Sequence, residues 1–172
     1  MEKNKNMKGK TLRLLPHTMD QICPFYCLTE TNGDIINIGS SLKKLLGTNS
    51  ENIDSQSLGL FYELNMGEED QTWRLDNIDN LQYRPFKLKC KRTQVILACE
   101  AIELVEKKFF RSKKRYWIIM MRPLIETSQE LEKSGLNLQD FSLTDPIRTG
   151  LLNMLMEESL RESLLREIKF DD

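Results

Sequence analysis

Four cysteines carry the most reactive side chains in this 172-residue chain: Cys23, Cys27, Cys90 and Cys99. Cys23 and Cys27 are separated by three residues rather than two, and no histidine or second close pair accompanies them as a zinc site would require. The single histidine, His17, follows Pro16 in a segment that reads as surface. We therefore expect buried free thiols in a reducing compartment and no metal site.

Carboxylates offer the next possible chemistry. Asp140 and Asp145 are five residues apart, but their positions favour bracing a turn and capping a helix over acid–base catalysis. Glu100, Glu103 and Glu106 have the spacing of solvent-facing strand positions. The sequence contains no glycine-rich phosphate loop, nucleophile motif, kinase phospho-acceptor box or recognisable set of cyclase aspartates. We expect no enzyme activity in this chain.

A basic run lies in the second half of the sequence, interleaved with Phe109 and Phe110; it consists of Lys107, Lys108, Arg111, Lys113, Lys114 and Arg115. The net charge of −1 favours a solvated hairpin loop over a nucleic-acid surface, with docking of a partner protein as the alternative. No apolar run approaches the ~20 residues of a membrane span. The first ten residues are polar and lysine-rich, so we expect a cytoplasmic protein.

Turn and strand signals predict the elements that carry these residues. Asn32-Gly33 is a strong hairpin signal between strands at 23–31 and 34–39. Ser40 or Ser41 is expected to cap a short helix that ends at Gly47. Short helices and loops are expected over 48–82, followed by strands at 86–91, 95–105 and 116–122. The sequence predicts an α+β fold with a five-stranded antiparallel sheet and short helices on one face.

The last predicted strand is apolar on both faces. Tyr116, Ile118 and Met120 share one face, and the other carries Trp117, Ile119 and Met121. An antiparallel sheet normally keeps one wet face, so the N-terminal segment, the C-terminal helix or a second subunit must cover the outer one. We assign Trp117, Ile119 and Met121 to the outward row and expect them to contact a second copy of the chain.

A long amphipathic helix is predicted at the C-terminus. Thr127 and Glu130 have capping-box spacing for a preceding short helix that ends at Gly135. Asp145 is placed to cap the long helix, and Pro146 suits its first position. Its apolar stripe repeats every fourth residue: Leu152, Met156, Leu160, Leu164 and Ile168. Packing against the parent sheet and coiled-coil pairing with another copy both fit this stripe, and we expect it to form the dimer and relay interface.

The segment from Leu131 to Arg148 reads Leu-x3-Gly-Leu-x-Leu-x-Asp-x2-Leu-x-Asp-x2-Arg. This pattern resembles the signature of the heme–nitric-oxide-binding-associated domain, a PAS-like module of soluble guanylate cyclases and bacterial sensor histidine kinases. The opening strand–turn–strand pattern is similar to the start of a PAS domain. The chain departs from the family at Asn65-Met66, at Cys99-Glu100 and at Met121-Arg122-Pro123.

The resemblance implies a non-catalytic relay module. It predicts a disordered lead-in at 1–13, a PAS-like core at 14–125, a connecting helix and turn at 126–145, and a signalling helix at 146–172. Such a module pairs with itself or with a paralogous copy. It passes the state of a heme-based nitric-oxide or oxygen sensor to a guanylate cyclase or histidine kinase. The chain lacks the Tyr-x-Ser-x-Arg motif and a well-placed histidine, so we expect no heme or other cofactor here. The alternative is a PAS domain that senses a small ligand in its own core.

Overall fold

The computed structural model describes residues 16–47, 53, 55–65, 84–107 and 113–168. The predicted lead-in at 1–13 and most of the stretch 48–82 lie outside these ranges. The elements follow one another in this order: α1 (Pro16–Ile22), β1 (Tyr26–Glu30), β2 (Ile35–Ile38), α2 (Ser40–Leu46), α3 (Leu58–Phe61), β3 (Tyr62–Leu64), β4 (Phe86–Cys90), β5 (Ile96–Lys107), β6 (Lys113–Pro123), α4 (Ser128–Ser134), the 3-10 turn η1 (Leu138–Asp140) and α5 (Pro146–Ile168).

The strands form one sheet with the order β2-β1-β6-β5-β4-β3, and every neighbouring pair is antiparallel. The α+β class is therefore as predicted, but the described sheet has six strands rather than five. The additional strand is β3, which pairs with β4 in a stretch predicted to hold only helices and loops. Tyr62 explains the difference, because its buried ring holds this three-residue segment against the sheet edge.

The hairpin of β5 and β6 is longer than the sequence predicted. Its ladder runs from the pair Leu97–Pro123 to the pair Lys107–Lys113, so both strands extend into the stretch assigned to a charged loop. Across the ladder the Arg115 guanidinium donates to the Glu103 carboxylate, and Arg115 also lies over the Trp117 ring. Charged residues can continue a strand where its side chains reach solvent, and this is why the composition of the loop gave the wrong boundary.

The core lies on one face of the sheet, and the assignment of the faces of β6 was wrong. Trp117, Ile119 and Met121 are all buried, whereas Ile118 and Met120 on the other face are half-buried. The register with β1 shows why: Trp117 lies opposite Thr29 and Ile119 lies opposite Cys27, and both of these β1 residues are also fully buried. The indole is the largest side chain in this layer, so it fills the space beneath the helices.

Helix α2 covers this face with Leu42, Leu45 and Leu46. The predicted serine cap is wrong, because the residue before the helix is Gly39 and it makes no side-chain cap bond. A side chain at Gly39 would overlap the carbonyl oxygen of Pro24, so glycine allows the close approach of the chain at this point. Ser41 is instead buried inside the helix face, where it bonds to the C-terminal region described below.

None of the helices within the described residues has an apolar stretch sufficient to cross a lipid bilayer.

Candidate functional site

The start of α5 is held by a local hydrogen bond. The carboxylate oxygen Oδ1 of Asp145 accepts from the backbone N–H of Ile147 at 3.0 Å, and Pro146 occupies the first helical position. An oxygen in this place satisfies one of the backbone N–H groups that a helix leaves free at its N-terminus. Asp145 and Pro146 therefore determine where the helix begins.

The first turns of α5 are docked on the domain. Leu151 is buried in the core cluster, and Ile147, Met154 and Leu155 pack against it. On the same side the hydroxyl of Ser128 in α4 donates to the Glu158 carboxylate at 2.8 Å. The helix is consequently attached to its own domain along one face as far as residue 158.

The opposite face of α5 is open. Leu152, Met156 and Leu160 are exposed to 45%, 57% and 63%, and every residue from 156 to 163 is exposed. Leu164 and Ile168 continue the repeat along the helix backbone. We call the row of Leu152, Met156 and Leu160 the distal stripe. Leu151 therefore packs on the parent domain, while the residues of the distal stripe are exposed.

The junction between α4 and α5 is braced on the core. Asn137 and Asp140 form a reciprocal capping box around η1, in which Asp140 Oδ2 accepts from Asn137 N at 2.7 Å. The same Asp140 oxygen pairs with Lys44 Nζ at 2.6 Å, and Asp140 O accepts from the buried Ser41 hydroxyl at 2.6 Å. Asp140 therefore makes one bond within the junction and two bonds to α2.

An aromatic contact adds a second attachment of the junction. The rings of Phe25 and Phe141 lie 5.3 Å apart at a tilt of 49°, next to the start of β1. Both side chains are buried. Sequence reasoning missed Ser41, Lys44 and Phe25 as contacts of the junction, because these residues lie about a hundred positions earlier in the chain.

The outward face of the sheet is a second apolar surface. It is formed by Leu28, Ile102, Leu104 and Ile118, of which Ile102 and Leu104 are exposed to 39% and 41%. Charged residues lie on both parities of β6, with Lys113 and Arg115 on one and Lys114 and Arg122 on the other, so no signal in the sequence identified the outer face. The residues expected here, Trp117, Ile119 and Met121, lie on the buried face instead.

The cysteines and the two aspartates singled out in the sequence have environments that favour a structural role over catalysis. All four cysteines are free, and burial raises the pKa of Cys27 and of Cys99 to about 12. A thiol of such pKa is a poor nucleophile at neutral pH, since the thiolate is the reactive form. Among the described residues no three His, Cys, Asp or Glu side chains are grouped closely enough to hold a metal ion. Asp140 and Asp145 make the bracing and capping bonds given above.

The scan against protein-family models and the search of curated proteins both found no match. Among solved structures, the chain is similar to the PAS-B domain of Drosophila melanogaster Cycle with bound ethylene glycol. The identity is 13%, the TM-score is 0.41, and the match covers 58% of this chain and 99% of that one.

Proposed function

We propose that this chain is a PAS-like, non-catalytic signalling module that pairs with a second copy, or with a paralogue, through α5. In this proposal a rotation of one domain against its twin moves the two helix ends. That movement relays the state of a heme-based nitric-oxide or oxygen sensor to a guanylate cyclase or histidine kinase. The resemblance of the segment from Leu131 to Arg148 to the family signature supports the choice of sensor and output. The proposed location is the cytoplasm, on the ground of the polar, lysine-rich first ten residues.

The observation that carries the proposal is the exposure of the distal stripe on the face of α5 that does not dock on the domain. From residue 156 to residue 163 the helix has no buried side chain. A segment as short as 156–163 is marginally stable as an isolated helix, because most helical stability comes from packing an apolar face. Full burial of an exposed leucine or methionine contributes about 1.5–3 kcal/mol, and since the three stripe side chains are 45–63% exposed, pairing of two helices would contribute about half of this for each. A symmetric pair brings the same stripe of both copies together.

Sedimentation of the wild type and of a Met156→Glu, Leu160→Glu variant tests the pairing. We expect the wild type to be dimeric at tens of micromolar, an ordinary range for weak complexes. The variant should sediment as a folded monomer. The control is Gln21→Glu with Gln129→Glu, which adds the same two charges at exposed positions on α1 and α4 and should remain dimeric. A monomeric wild type would overturn the proposal.

A second candidate function, sensing of a small ligand in the core, is favoured by three buried polar atoms. Thr29 Oγ1, Tyr62 Oη and Trp117 Nε1 have no hydrogen-bond partner within the described part of the chain. A buried polar group without a partner costs free energy, about 1–3 kcal/mol, and a bound polar molecule would recover it. Thr29 and Trp117 are direct cross-strand neighbours, so one small molecule could reach both.

Mass spectrometry of a denatured extract separates this candidate from the relay. Sensing predicts a stoichiometric small molecule that is released from the wild type and reduced in a Thr29→Val, Tyr62→Phe variant. Relay alone predicts no such molecule. Without a ligand, Tyr62→Phe should leave the stability equal or slightly higher, because it removes an unpaired buried hydroxyl.

A further inference from the structure

A groove of about 560 Å³ lies beside the junction and borders four elements. Asp20 and Gln21 of α1, Ser40 and Ser41 at the start of α2, Gln139 of η1 and Arg148 of α5 line it, together with Pro24 and residues 141–143. The groove is separate from the distal stripe. Because α1, α2, η1 and α5 all contribute, an occupant would touch the helix and the elements that hold it.

Arg148 is the cation of this groove. Its side chain is half-buried and forms no ion pair or side-chain hydrogen bond with any described residue. The groove's carboxylate, Asp20, accepts from the backbone N–H of Ser40 at 2.8 Å. The neighbouring Asp140 carboxylate is already paired with Lys44 at 2.6 Å. The guanidinium fork of arginine matches the oxygen pair of a carboxylate or phosphate.

The other walls of the groove are of two kinds. Ser40 and Gln139 are exposed and present a hydroxyl and an amide, which can donate to the same anionic group. Phe141 and Pro24 are buried and form an apolar wall, while Leu143 is 82% exposed on the rim. Arg148, two neutral donors and an apolar wall suit a small molecule with an anionic head and an apolar body, while the Asp20 carboxylate is engaged by the Ser40 N–H at the start of α2.

We propose that this groove binds a small amphipathic oxyanion, with its carboxylate or phosphate on Arg148 and its apolar body against Phe141 and Leu143. The biological role of this binding rests on the proposed relay function. An occupant that contacts both α2 and the first turn of α5 would favour one position of the helix over another. A ligand shifts such an equilibrium only by its difference in affinity for the two positions.

Chemical-shift titration of the full chain with benzoate, phenyl phosphate and benzyl alcohol tests the site. We expect benzoate or phenyl phosphate to bind with a dissociation constant of about a millimolar, as suits a ligand of this size. Shifts should cluster at residues 20–21, 40–41, 139–143 and 148. The tighter of the two anions identifies the head group. Neutral benzyl alcohol has a similar shape and should bind at least tenfold more weakly.

Variants decide whether Arg148 carries the binding. Arg148→Gln should weaken the anion at least tenfold, because it removes a charge-assisted pair of bonds. The control is Arg161→Gln, an exposed arginine on the same helix outside the groove, which should leave binding unchanged. Should Arg148→Gln fail to fold, Gln139→Glu places a competing carboxylate in the groove from an exposed position and should give the same loss.

The inference is overturned if the anions bind no more tightly than benzyl alcohol, or if binding survives both Arg148→Gln and Gln139→Glu. Sedimentation of the same samples keeps this result apart from the relay. A dimer without anion binding contradicts only the groove, and anion binding by a monomer contradicts only the pairing.

Discussion

Gly47 ends α2 in the left-handed conformation, with φ at +63°, and the Arg92 guanidinium lies directly over it. A side chain at this position would overlap Arg92 Nη1. The arginine is well placed there, since a cation near the C-terminus of a helix is stabilised by the helix dipole. Gly135 ends α4 with φ at +73° but has no atom within 4 Å of the position of a Cβ. The two glycines share one backbone conformation and differ in surroundings.

Gly47→Ala should therefore destabilise the fold more than Gly135→Ala. The left-handed conformation costs an alanine about 1–2 kcal/mol at either site. At residue 47 the flexible, exposed Arg92 guanidinium must also move away, and the loss of its interaction with the helix dipole adds about 0.3–1 kcal/mol there alone. Urea unfolding of both variants measures the difference, and in an Arg92→Ala background the difference should disappear. Equal costs of the two substitutions in the wild-type background would contradict this packing.

Cys27 and Cys99 make stability depend on alkaline pH. Burial raises the folded-state pKa of both thiols to about 12, whereas an unfolded thiol ionises near 8.5. The folded chain thus favours the protonated form. Its advantage is fully present below the unfolded pKa and is lost as the pH rises from about 9 towards 12.

Comparison with Cys27→Ala isolates this contribution. The free energy of unfolding of the wild type, minus that of the variant, should fall by about 1.4 kcal/mol per pH unit between pH 9 and 12. Chemical denaturation at several pH values measures it, and Cys99→Ala should behave alike. A difference that is flat with pH would show that these thiols ionise in the folded chain.

At the scale of elements, the sheet shows where sequence patterns decide and where they do not. Asn32-Gly33 predicted the β1–β2 hairpin correctly, and Gly33 has a φ of +85° in the turn. The two faces of β6 could not be distinguished in this way, because both are apolar over three successive positions. The register with β1 decides the matter. Strand β3 is three residues long, which is too short for any alternation to be visible.

Substitutions on the two faces of β6 test the corrected assignment. Trp117→Ala should cost about 3–5 kcal/mol, because it leaves a large cavity in the core. Ile118→Ala, next to it on the half-buried face, should cost about 1 kcal/mol or less. Thermal or urea unfolding gives both values, and comparable losses at the two positions would contradict the assignment.

The junction is the element that sequence patterns described least completely. Its capping bonds join residues close in sequence and could be predicted from the sequence, as the bond from Ile147 N to Asp145 shows. The bonds of Asp140 to Ser41 and Lys44 span 99 and 96 residues and leave no local pattern. They depend on how α2 and η1 come together in the folded chain, so only the structure reveals that α2 braces the start of α5.

Asp140→Ala should loosen the junction without disturbing the sheet. We expect a loss of about 1–2 kcal/mol, from the capping bond together with a small contribution of the partly exposed ion pair. Amide hydrogen exchange should accelerate over residues 136–150 and stay unchanged in β5 and β6. Lys44→Ala removes only the ion pair and should cost less than about 1 kcal/mol. Faster exchange throughout the sheet would contradict this prediction, because it would show that Asp140 stabilises the whole fold and not the junction alone.

On the scale of the whole molecule, α5 connects a docked face with an open one. Leucine and methionine at every fourth position predicted a long amphipathic helix, and the structure has a helix from Pro146 to Ile168. The repeat could not tell which apolar residues pack inward, because Leu151 and Leu155 lie beside the stripe in sequence. Docking through Leu151 leaves the distal stripe facing outward. The relay proposal depends on what covers that stripe.

Disulfide cross-linking at single cysteines measures this most directly. In a Cys23→Ser background, Leu160→Cys places a thiol on the distal stripe. Glu162→Cys places one on the same helix about 160° around the axis from residue 160, also at an exposed position. Under mild oxidation at low micromolar protein, the proposal predicts a cross-linked dimer for Leu160→Cys and little for Glu162→Cys. Equal cross-linking at both positions, or none at Leu160→Cys, would contradict pairing of two copies through the stripe.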